Sequence, residues 1–201
     1  MIRENREYRN LTIERRAKDE TVDPDYKVRG YASTFEPYCL YSYDGIDYFE
    51  KIDPKAFDEA DMSDVIFLYN HEGMVYARQK NGTLTVSTDE HGLLTEADLS
   101  STSASRELFE AIESGLVDQM SFAFTVTEDA FDRDTHTRTI LKIGKVYDVS
   151  AVSIPANPDT DIATVSARDY FNGVIEMEKA ERLEREKQLA LAKAKFEFME
   201  A

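Results

Sequence analysis

The sequence predicts a mainly β protein with flanking helices, of the α+β class, in which a closed or nearly closed antiparallel β-barrel precedes a charged C-terminal helix. Three observations support this prediction. Many short segments alternate apolar and polar residues in the manner of half-buried strands. Only two segments before residue 168 have helical features. From residue 168 onward the composition changes to Glu, Lys, Arg, Ala and Leu without proline, which is typical of a solvent-exposed helix.

The first predicted elements lead to a histidine that follows a strand. Residues 28–36 alternate as a strand does, and the tract up to residue 47 is rich in Tyr, Asp and Gly, which predicts a surface loop. Asp53 and Pro54 have the pattern of an N-cap followed by proline at the first helical position, which predicts a short helix ending near residue 60. Residues 65–69 form an apolar run of strand length, so His71 lies just beyond its end.

A hairpin and a helix are predicted next. The segments TLTVS and GLLTEADL flank a turn-rich connection at 88–92, which is the pattern of a β-hairpin. A helix is then expected from about residue 102 to 114, because Ser or Thr is available to cap its start and Gly115 follows its end. Leu108 and Ile112 lie on one face of this helix.

A serine and an aspartate lie on the strands predicted after the helix. Residues 116–127 alternate, with Met, Phe, Phe and Val on one face and Ser121 on the other. A loop is expected at 128–137, followed by strands at 138–143 and 145–154. Asp148 shares a strand face with Val, Ser and Val neighbours, where an ionised carboxylate is costly unless it is hydrogen-bonded or paired.

The chain is therefore divided into three parts. Residues 1–20 form a charged N-terminal segment, 21–167 the β-barrel domain and 168–201 a charged helical tail. Glutamate and arginine at i,i+4 spacing support the tail helix. Two interpretations of the tail stay open, a solvated terminal helix and a segment that docks on a partner or is removed.

Composition narrows the class of protein. The formal net charge of −16 lies in residues 21–167, which hold 11 basic and 27 acidic side chains and would repel a phosphate backbone. Direct nucleic-acid binding is therefore disfavoured. The single cysteine, Cys39, provides no intramolecular disulfide, and the first 20 residues lack the apolar run of a signal peptide. No segment has the length of an apolar membrane span, so we expect a cytoplasmic protein without membrane contact.

His71, Ser121 and Asp148 supply the residue types of a serine hydrolase. A serine hydroxyl is a weak nucleophile until an imidazole removes its proton, and an acid behind the imidazole fixes its tautomer. The order His…Ser…Asp differs from those of the chymotrypsin, subtilisin and α/β-hydrolase groups, and the sequence has no G-x-S-x-G motif. The order therefore predicts an uncommon architecture. No cofactor or metal is expected, since the H-E-G-M-V segment lacks the second histidine of H-E-x-x-H.

Six segments carry a family resemblance that spans about residues 28–165: VRGYASTFE, DPKAF, FLYNHE, GLLTEADL, ESGLVDQMSFAF and YDVSAVSIPANPDT. Together they resemble the prohead (procapsid) maturation proteases of tailed bacteriophages. The family's catalytic set is the histidine closing an L-x-N-H segment, the serine of M-S-F and the acid of D/E-V-S-x-V before P-A-N. The matching positions are His71, Ser121 and Asp148. The family is similar in fold to the herpesvirus assembly proteases, a β-barrel surrounded by helices.

The resemblance implies a serine endopeptidase packaged inside an immature procapsid in the host bacterial cytoplasm. Its substrates would be the major capsid protein with its scaffolding segment, or a separate scaffold protein, and also the protease itself. A homodimer is compatible with the family. Two departures from the family pattern, Lys55 and Ala77 in place of frequent glycines, bear on the shape of the substrate groove.

Alternatives remain at each level of this prediction. Ser121 has the competing interpretation of a small residue filling a barrel, and His71 that of a strand-end histidine bonded to backbone. Asp148 has two competitors. In the first, Asp148 is a structural carboxylate paired with Lys145. In the second, Asp159 or Asp161 is the catalytic acid in its place. At the level of the whole protein, a catalytically silent capsid-assembly or scaffold protein is the alternative, and a small-molecule esterase is a third possibility.

Overall fold

The computed structural model describes residues 6–12, 26–153 and 162–200. Ten strands, two α-helices and a one-turn 3-10 helix (Gln79–Asn81) lie within this part of the chain. The strands are β1 (Glu7–Thr12), β2 (Lys27–Thr34), β3 (Tyr38–Tyr43), β4 (Ile46–Ile52), β5 (Ile66–Tyr69), β6 (Glu72–Arg78), β7 (Leu84–Thr88), β8 (Gly92–Asp98), β9 (Gln119–Asp132) and β10 (Thr137–Val152). The helices are α1 (Ser103–Ser114) and α2 (Ile162–Glu200).

The strands form two sheets. The larger sheet has seven strands in the order β1-β9-β10-β4-β3, with β5 also pairing with β10 and β6 pairing with β5. The smaller sheet has the order β2-β8-β7. The long hairpin of β9 and β10 organises the larger sheet, because β10 carries β4 and β5 one after the other along its second edge, both in parallel.

The predicted mainly β, α+β class is confirmed, but the predicted closed barrel is not found. Within the described ranges the strands form two open sheets, and no closed barrel is found. A barrel of the herpesvirus-protease type is likewise not confirmed. Alternation along one strand reports which face is buried, but it does not report which edges pair or whether a sheet closes. The parallel pairing of β10 with β4 and β5 could not be predicted from the sequence of any single segment.

Several element predictions are confirmed. β5 and β2 occupy the predicted strand positions, and β7 and β8 form the predicted hairpin. Helix α1 begins after Thr102, whose side-chain oxygen accepts a hydrogen bond from the Ser105 N–H, and ends at Gly115 in the left-handed conformation (φ 80°). These are the capping interactions that satisfy free backbone groups at helix ends. Leu108 and Ile112 are buried, as their spacing predicted.

Other element predictions were wrong. The tract predicted as a loop before residue 47 contains the hairpin of β3 and β4, which turns at Asp44 and Gly45. The short helix predicted after Asp53 is a series of turns. The predicted loop 128–137 is mostly strand, because β9 extends to Asp132 and β10 begins at Thr137. Polar composition indicated solvent exposure there, and a two-stranded ribbon exposed to solvent tolerates the same composition.

The main core lies between the two sheets and α1. Stacked rings of Phe122 and Phe124, with centroids 4.3 Å apart, lie at its centre together with Phe57, which contacts Phe122. Phe122 and Phe124 occupy the face of β9 opposite to Ser121, as the alternation predicted.

Helix α2 begins at Ile162 and its first half packs on the sheet. Phe171, Val174 and Ile175 are buried against Tyr48 and neighbouring aromatic residues. The side chains described beyond Met177 are exposed with few exceptions, and Arg133 binds Glu181 through two hydrogen bonds. The predicted charged helix is therefore present, but it is anchored at its N-terminal half. No helix of the described residues is long and apolar enough to cross a membrane.

A second region, here called the ionic cluster, consists of four buried charged side chains and one half-buried carboxylate, Asp129. The buried members are Glu7, Arg9, Glu50 and Arg138. Arg9 Nη2 lies 2.6 Å from Glu7 and 2.7 Å from Glu50. Arg138 contacts the same two carboxylates at 2.8 and 3.1 Å and Asp129 at 3.0 Å. Both arginines are thus paired with shared carboxylates, which buried charges require. The cluster joins β1, β4 and the β9–β10 hairpin.

Candidate active site

Ser121 lies in the middle of the larger sheet. Its strand, β9, pairs with β1 on one side and β10 on the other, and the residue directly opposite Ser121 on β10 is Ser150. Directly opposed residues of neighbouring strands point to the same face. Because β9 is held on both edges, the backbone that carries Ser121 is fixed by two ladders of hydrogen bonds.

His71 lies on a tight turn at the end of β5. The pairing of Tyr69 with Glu72 makes Asn70 and His71 the two central residues of a hairpin turn, and both have positive φ values, 50° and 59°. Two positive φ values are characteristic of the type I′ turn. Positive φ values are uncommon for residues other than glycine, although asparagine and histidine adopt them more often than most, and such conformations cluster at functional sites.

Asn70 attaches this turn to β10. Its backbone N–H donates to the carbonyl of Ala151 at 3.0 Å, and its side-chain oxygen accepts from the N–H of Ser153 at 3.1 Å. The turn is therefore held against the end of β10, and the imidazole that follows Asn70 is directed back over the sheet.

Asp148 reaches the site from β10 at an irregularity of the strand. The register between β10 and β9 shifts between Val146 and Asp148, so Tyr147 is the extra residue of a β-bulge. Bulges redirect side chains and are frequent beside active sites. Beyond the bulge Asp148 pairs with Ala123, two residues from Ser121, and shares the face of Ser121.

The three predicted residues form one hydrogen-bonded chain. His71 Nδ1 lies 2.5 Å from Asp148 Oδ1, and His71 Nε2 lies 2.7 Å from Ser121 Oγ. An ionised carboxylate only accepts hydrogen bonds, so Nδ1 carries the ring proton and Nε2 accepts from the serine hydroxyl. In this tautomer the imidazole is ready to remove the hydroxyl proton.

Ser150 is a fourth member that sequence reasoning placed on the correct face but gave no role. Its hydroxyl donates to Asp148 Oδ1 at 3.0 Å and lies 3.1 Å from His71 Nδ1. The carboxylate thus receives hydrogen bonds from two groups, which offset the cost of burying its charge. The spacing of two residues from Asp148 was the available signal, since it places both side chains on one face.

Burial differs among the members of the site. Ser121 and Ser150 have no exposed surface and Asp148 is 1% exposed, whereas 16% of the His71 side chain is exposed. The acid end of the site is therefore shielded from water, which strengthens its electrostatic interactions.

One competing interpretation of Asp148 does not hold in the structure. Lys145 Nζ lies 2.5 Å from Asp61 Oδ2, so Lys145 pairs with that residue and not with Asp148. The other competitors, Asp159 and Asp161, lie outside the described residues. Within the described ranges, no group of three His, Cys, Asp or Glu side chains is placed to hold a metal ion.

The hydrogen-bonded order Ser, His, Asp is the arrangement that characterises serine hydrolases as a class, whatever fold carries it. The family model of the caudovirus prohead serine protease matches residues 12–173. This match covers most of the chain, and the chain belongs to that family. Membership indicates a serine peptidase with a role in the maturation of phage procapsids. Comparisons with curated proteins and with solved structures found no significant match.

Proposed function

We propose that this protein is a serine endopeptidase that cleaves the major capsid protein, its scaffolding segment or a separate scaffold protein inside the procapsid, and also itself. Ser121 is the nucleophile, His71 the general base and Asp148 the acid that orients the imidazole. The observation that carries this proposal is the continuous chain of short contacts from Asp148 through His71 to Ser121.

The proposed reaction follows from these contacts. As the Ser121 oxygen attacks the scissile carbonyl, its proton passes to His71 Nε2, and Asp148 stabilises the imidazolium that forms. The imidazolium then gives this proton to the leaving amine, and an acyl-enzyme remains on Ser121. Water attacks the ester with His71 again acting as base, which releases the acid product and restores the serine hydroxyl.

The strand geometry supports a peptide substrate. Ser121 lies on a regular strand with Ser150 beside it, and the face that carries them also carries the cleft next to Asp148. An extended peptide placed along this face would keep its side chains spaced like those of a strand, about 3.3 Å per residue. Substrate identity is proposed from family membership, because capsid and scaffold proteins are what a procapsid contains.

The test is the intact mass over time of the major capsid protein of the same phage, co-expressed with the wild-type protease or with Ser121→Ala. Wild type is expected to yield defined fragments, and Ser121→Ala and His71→Ala none, because both residues act in one unit. Labelling of wild type by a fluorophosphonate, absent from Ser121→Ala, would identify the nucleophile independently.

Two other outcomes would replace the proposal. If shells assemble with the protein inside and neither sample is cleaved, the catalytically silent scaffold becomes the better interpretation. If the wild type hydrolyses small esters while capsid protein stays intact, the protein is an esterase. Thermal unfolding of each variant controls for misfolding.

A further inference from the structure

A cleft of about 300 Å³ opens directly beside the acid end of the triad. Asp148 is a member of the triad and also lines this cleft. Ile66 and Leu68 of β5 form the apolar wall of the cleft. The parallel pairing of β5 with β10 places Ile66 next to Asp148 and Leu68 next to Ser150. The cleft therefore continues the face of the sheet on which Ser121 lies.

Three cationic side chains line this cleft, namely Arg6, Arg78 and Lys145, against the two carboxylates of Asp64 and Asp148. A local excess of positive charge is unusual on this chain, whose formal net charge is −16. Such a patch attracts a group of opposite charge. The chemistry that it fits is a carboxylate.

The two lining carboxylates are already engaged. Asp148 accepts from His71 and Ser150, and Asp64 binds the Arg78 guanidinium through two contacts, one of 2.8 Å and one of 2.5 Å. Because both carboxylates already have partners, a carboxylate that entered the cleft would interact mainly with the cationic side chains. Arg78 is largely satisfied by Asp64, which leaves Arg6 and Lys145 as the groups that decide binding.

Arg6 is held ready to bind an anion. Its guanidinium carbon lies 3.5 Å from the centre of the Tyr147 ring, and among the described residues no carboxylate lies within ion-pair distance of it. Stacking on an aromatic face fixes the guanidinium plane. In this orientation its N–H groups can donate two parallel hydrogen bonds to a carboxylate. Tyr147 is the extra residue of the β-bulge and directly precedes Asp148. The bulge therefore positions both the ring that stacks on Arg6 and the carboxylate of the triad.

Lys145 has a partner that it can exchange. Its contact with Asp61 joins two side chains that are each more than two-fifths exposed, and exposed ion pairs of this kind are weak. An incoming carboxylate would share or replace this contact at little cost. Both cations then converge on one acidic group.

We propose that this cleft is a substrate subsite that binds the side chain of an Asp or Glu residue two to four residues from the scissile bond. This inference rests on the proposed protease activity. Glu7 pairs with Phe124, so Arg6 lies beside the next residue of β9, four residues from Ser121. That separation corresponds to about 13 Å along an extended strand, and the reach of the arginine side chain shortens it.

The experiment compares wild type, Arg6→Glu and Arg29→Glu, each co-expressed with the major capsid protein of the same phage. Arg29 is an exposed arginine on the separate three-stranded sheet, paired with Glu96 at 3.6 Å, so its variant carries the same change of charge away from the cleft. Fragment masses give the cleavage sites and the rate of processing. Each site is expected to have an acidic residue within four positions, Arg6→Glu to be at least tenfold slower, and Arg29→Glu to match wild type.

Compensation tests the contact itself. Changing that acidic substrate residue to Lys is expected to slow wild type and to restore cleavage by Arg6→Glu. If Arg6→Glu fails to fold, Arg6→Gln and Lys145→Gln replace it, each with an expected loss of several-fold and a larger loss together. Cleavage sites without nearby acids, equal rates for wild type and Arg6→Glu, or no compensation would overturn the subsite and leave the protease proposal intact. Absence of wild-type fragments would instead overturn the protease proposal, and the subsite with it.

Discussion

Strand β9 has a polar cluster on each of its two faces, and the clusters differ in how their charges are paired. The ionic cluster receives Glu7 and Arg9 from β1 on the face of Phe122 and Phe124, and its two arginines share the carboxylates of Glu7 and Glu50. The triad lies on the other face, with a histidine in a left-handed turn and a cleft beside its acid.

This difference corresponds to a structural role for the ionic cluster and to the catalytic role that we propose for the triad. In the ionic cluster every charge has partners from other strands, so the cluster fixes the strands relative to each other. At the triad the hydrogen bonds are donated in one direction, from the Ser121 hydroxyl through His71 to the Asp148 carboxylate, and a backbone conformation with positive φ holds the imidazole in place. Backbone strain together with a directed hydrogen-bond chain is the combination expected at an active site.

The largest expected effect is on catalytic activity and concerns the triad. We expect Asp148→Asn to reduce the rate of capsid-protein cleavage by about 10⁴-fold, because the amide no longer holds the reactive tautomer of His71. The rate is measured from fragment masses over time. Asp44→Asn, the same change in the exposed turn between β3 and β4, is the control. A variant that keeps more than a tenth of wild-type activity would remove Asp148 from the triad.

The next largest expected effect is on stability and concerns the ionic cluster. Glu50 has no exposed surface and accepts from Arg9, Arg138 and Tyr38. We expect Glu50→Ala to lower the free energy of unfolding by about 3–5 kcal/mol, since it leaves buried cations short of a partner. Denaturant titration measures the loss. Glu96→Ala, at an exposed pair, is expected to change stability by less than about 0.5 kcal/mol; similar losses for both variants would show that the cluster contributes little.

A smaller effect tests the fourth member of the triad face. Ser150→Ala removes one hydrogen bond to a charged group, which is worth about 1.5–3 kcal/mol. We expect kcat to fall by roughly 10- to 100-fold with little change in KM, because the bond holds Asp148 and His71 in place and does not contact substrate. Thr95→Val removes a buried hydroxyl for which the described residues provide no hydrogen-bond partner, and it should leave kcat unchanged. Equal kcat values for Ser150→Ala and wild type would contradict a positioning role.

The smallest effect concerns acid stability. Burial alone raises the pKa of Glu7, but Arg9 and Arg138 outweigh burial and hold that pKa below its ordinary value. A carboxyl with a lowered pKa in the folded state contributes stability above its unfolded pKa, and this contribution is lost as the pH falls through the folded pKa. We expect unfolding free energy to decline below about pH 4, and Glu7→Gln to show a shallower decline. Denaturant titrations from pH 7 to pH 3 measure both slopes; parallel slopes would contradict the prediction.

The sequence was most informative where local chemistry controls structure. Thr102 and Gly115 marked the ends of α1, and alternation separated Ser121 from the phenylalanine row, since both signals depend only on near neighbours in the chain. It was least informative at the β3–β4 hairpin and at the 128–137 end of the β9–β10 ribbon, where polar residues concealed strands. Exposed strands satisfy their backbone by pairing, so they need no apolar alternation.

The candidate site divides in the same way. His71, Ser121 and Asp148 were predicted by residue type, order and family resemblance, because nucleophilic chemistry requires those side chains. Ser150, Asn70 and Arg6 were not predicted as functional residues. The roles that we propose for them depend on the pairing of β10 with β9 and β5 and on the bulge at Tyr147. These are long-range features that no short segment of the sequence records.

The sequence by itself therefore determined the mainly β class, the reactive side chains and the family to which the chain belongs. The tertiary structure decided that the strands form two open sheets, that three distant residues lie in one hydrogen-bonded chain, and that a cationic cleft adjoins the acid. The physical reason is that residue type and periodicity act over a few residues. Strand pairing instead brings together side chains that lie 50 and 77 residues apart in the chain, and it is selected by the packing of the whole molecule.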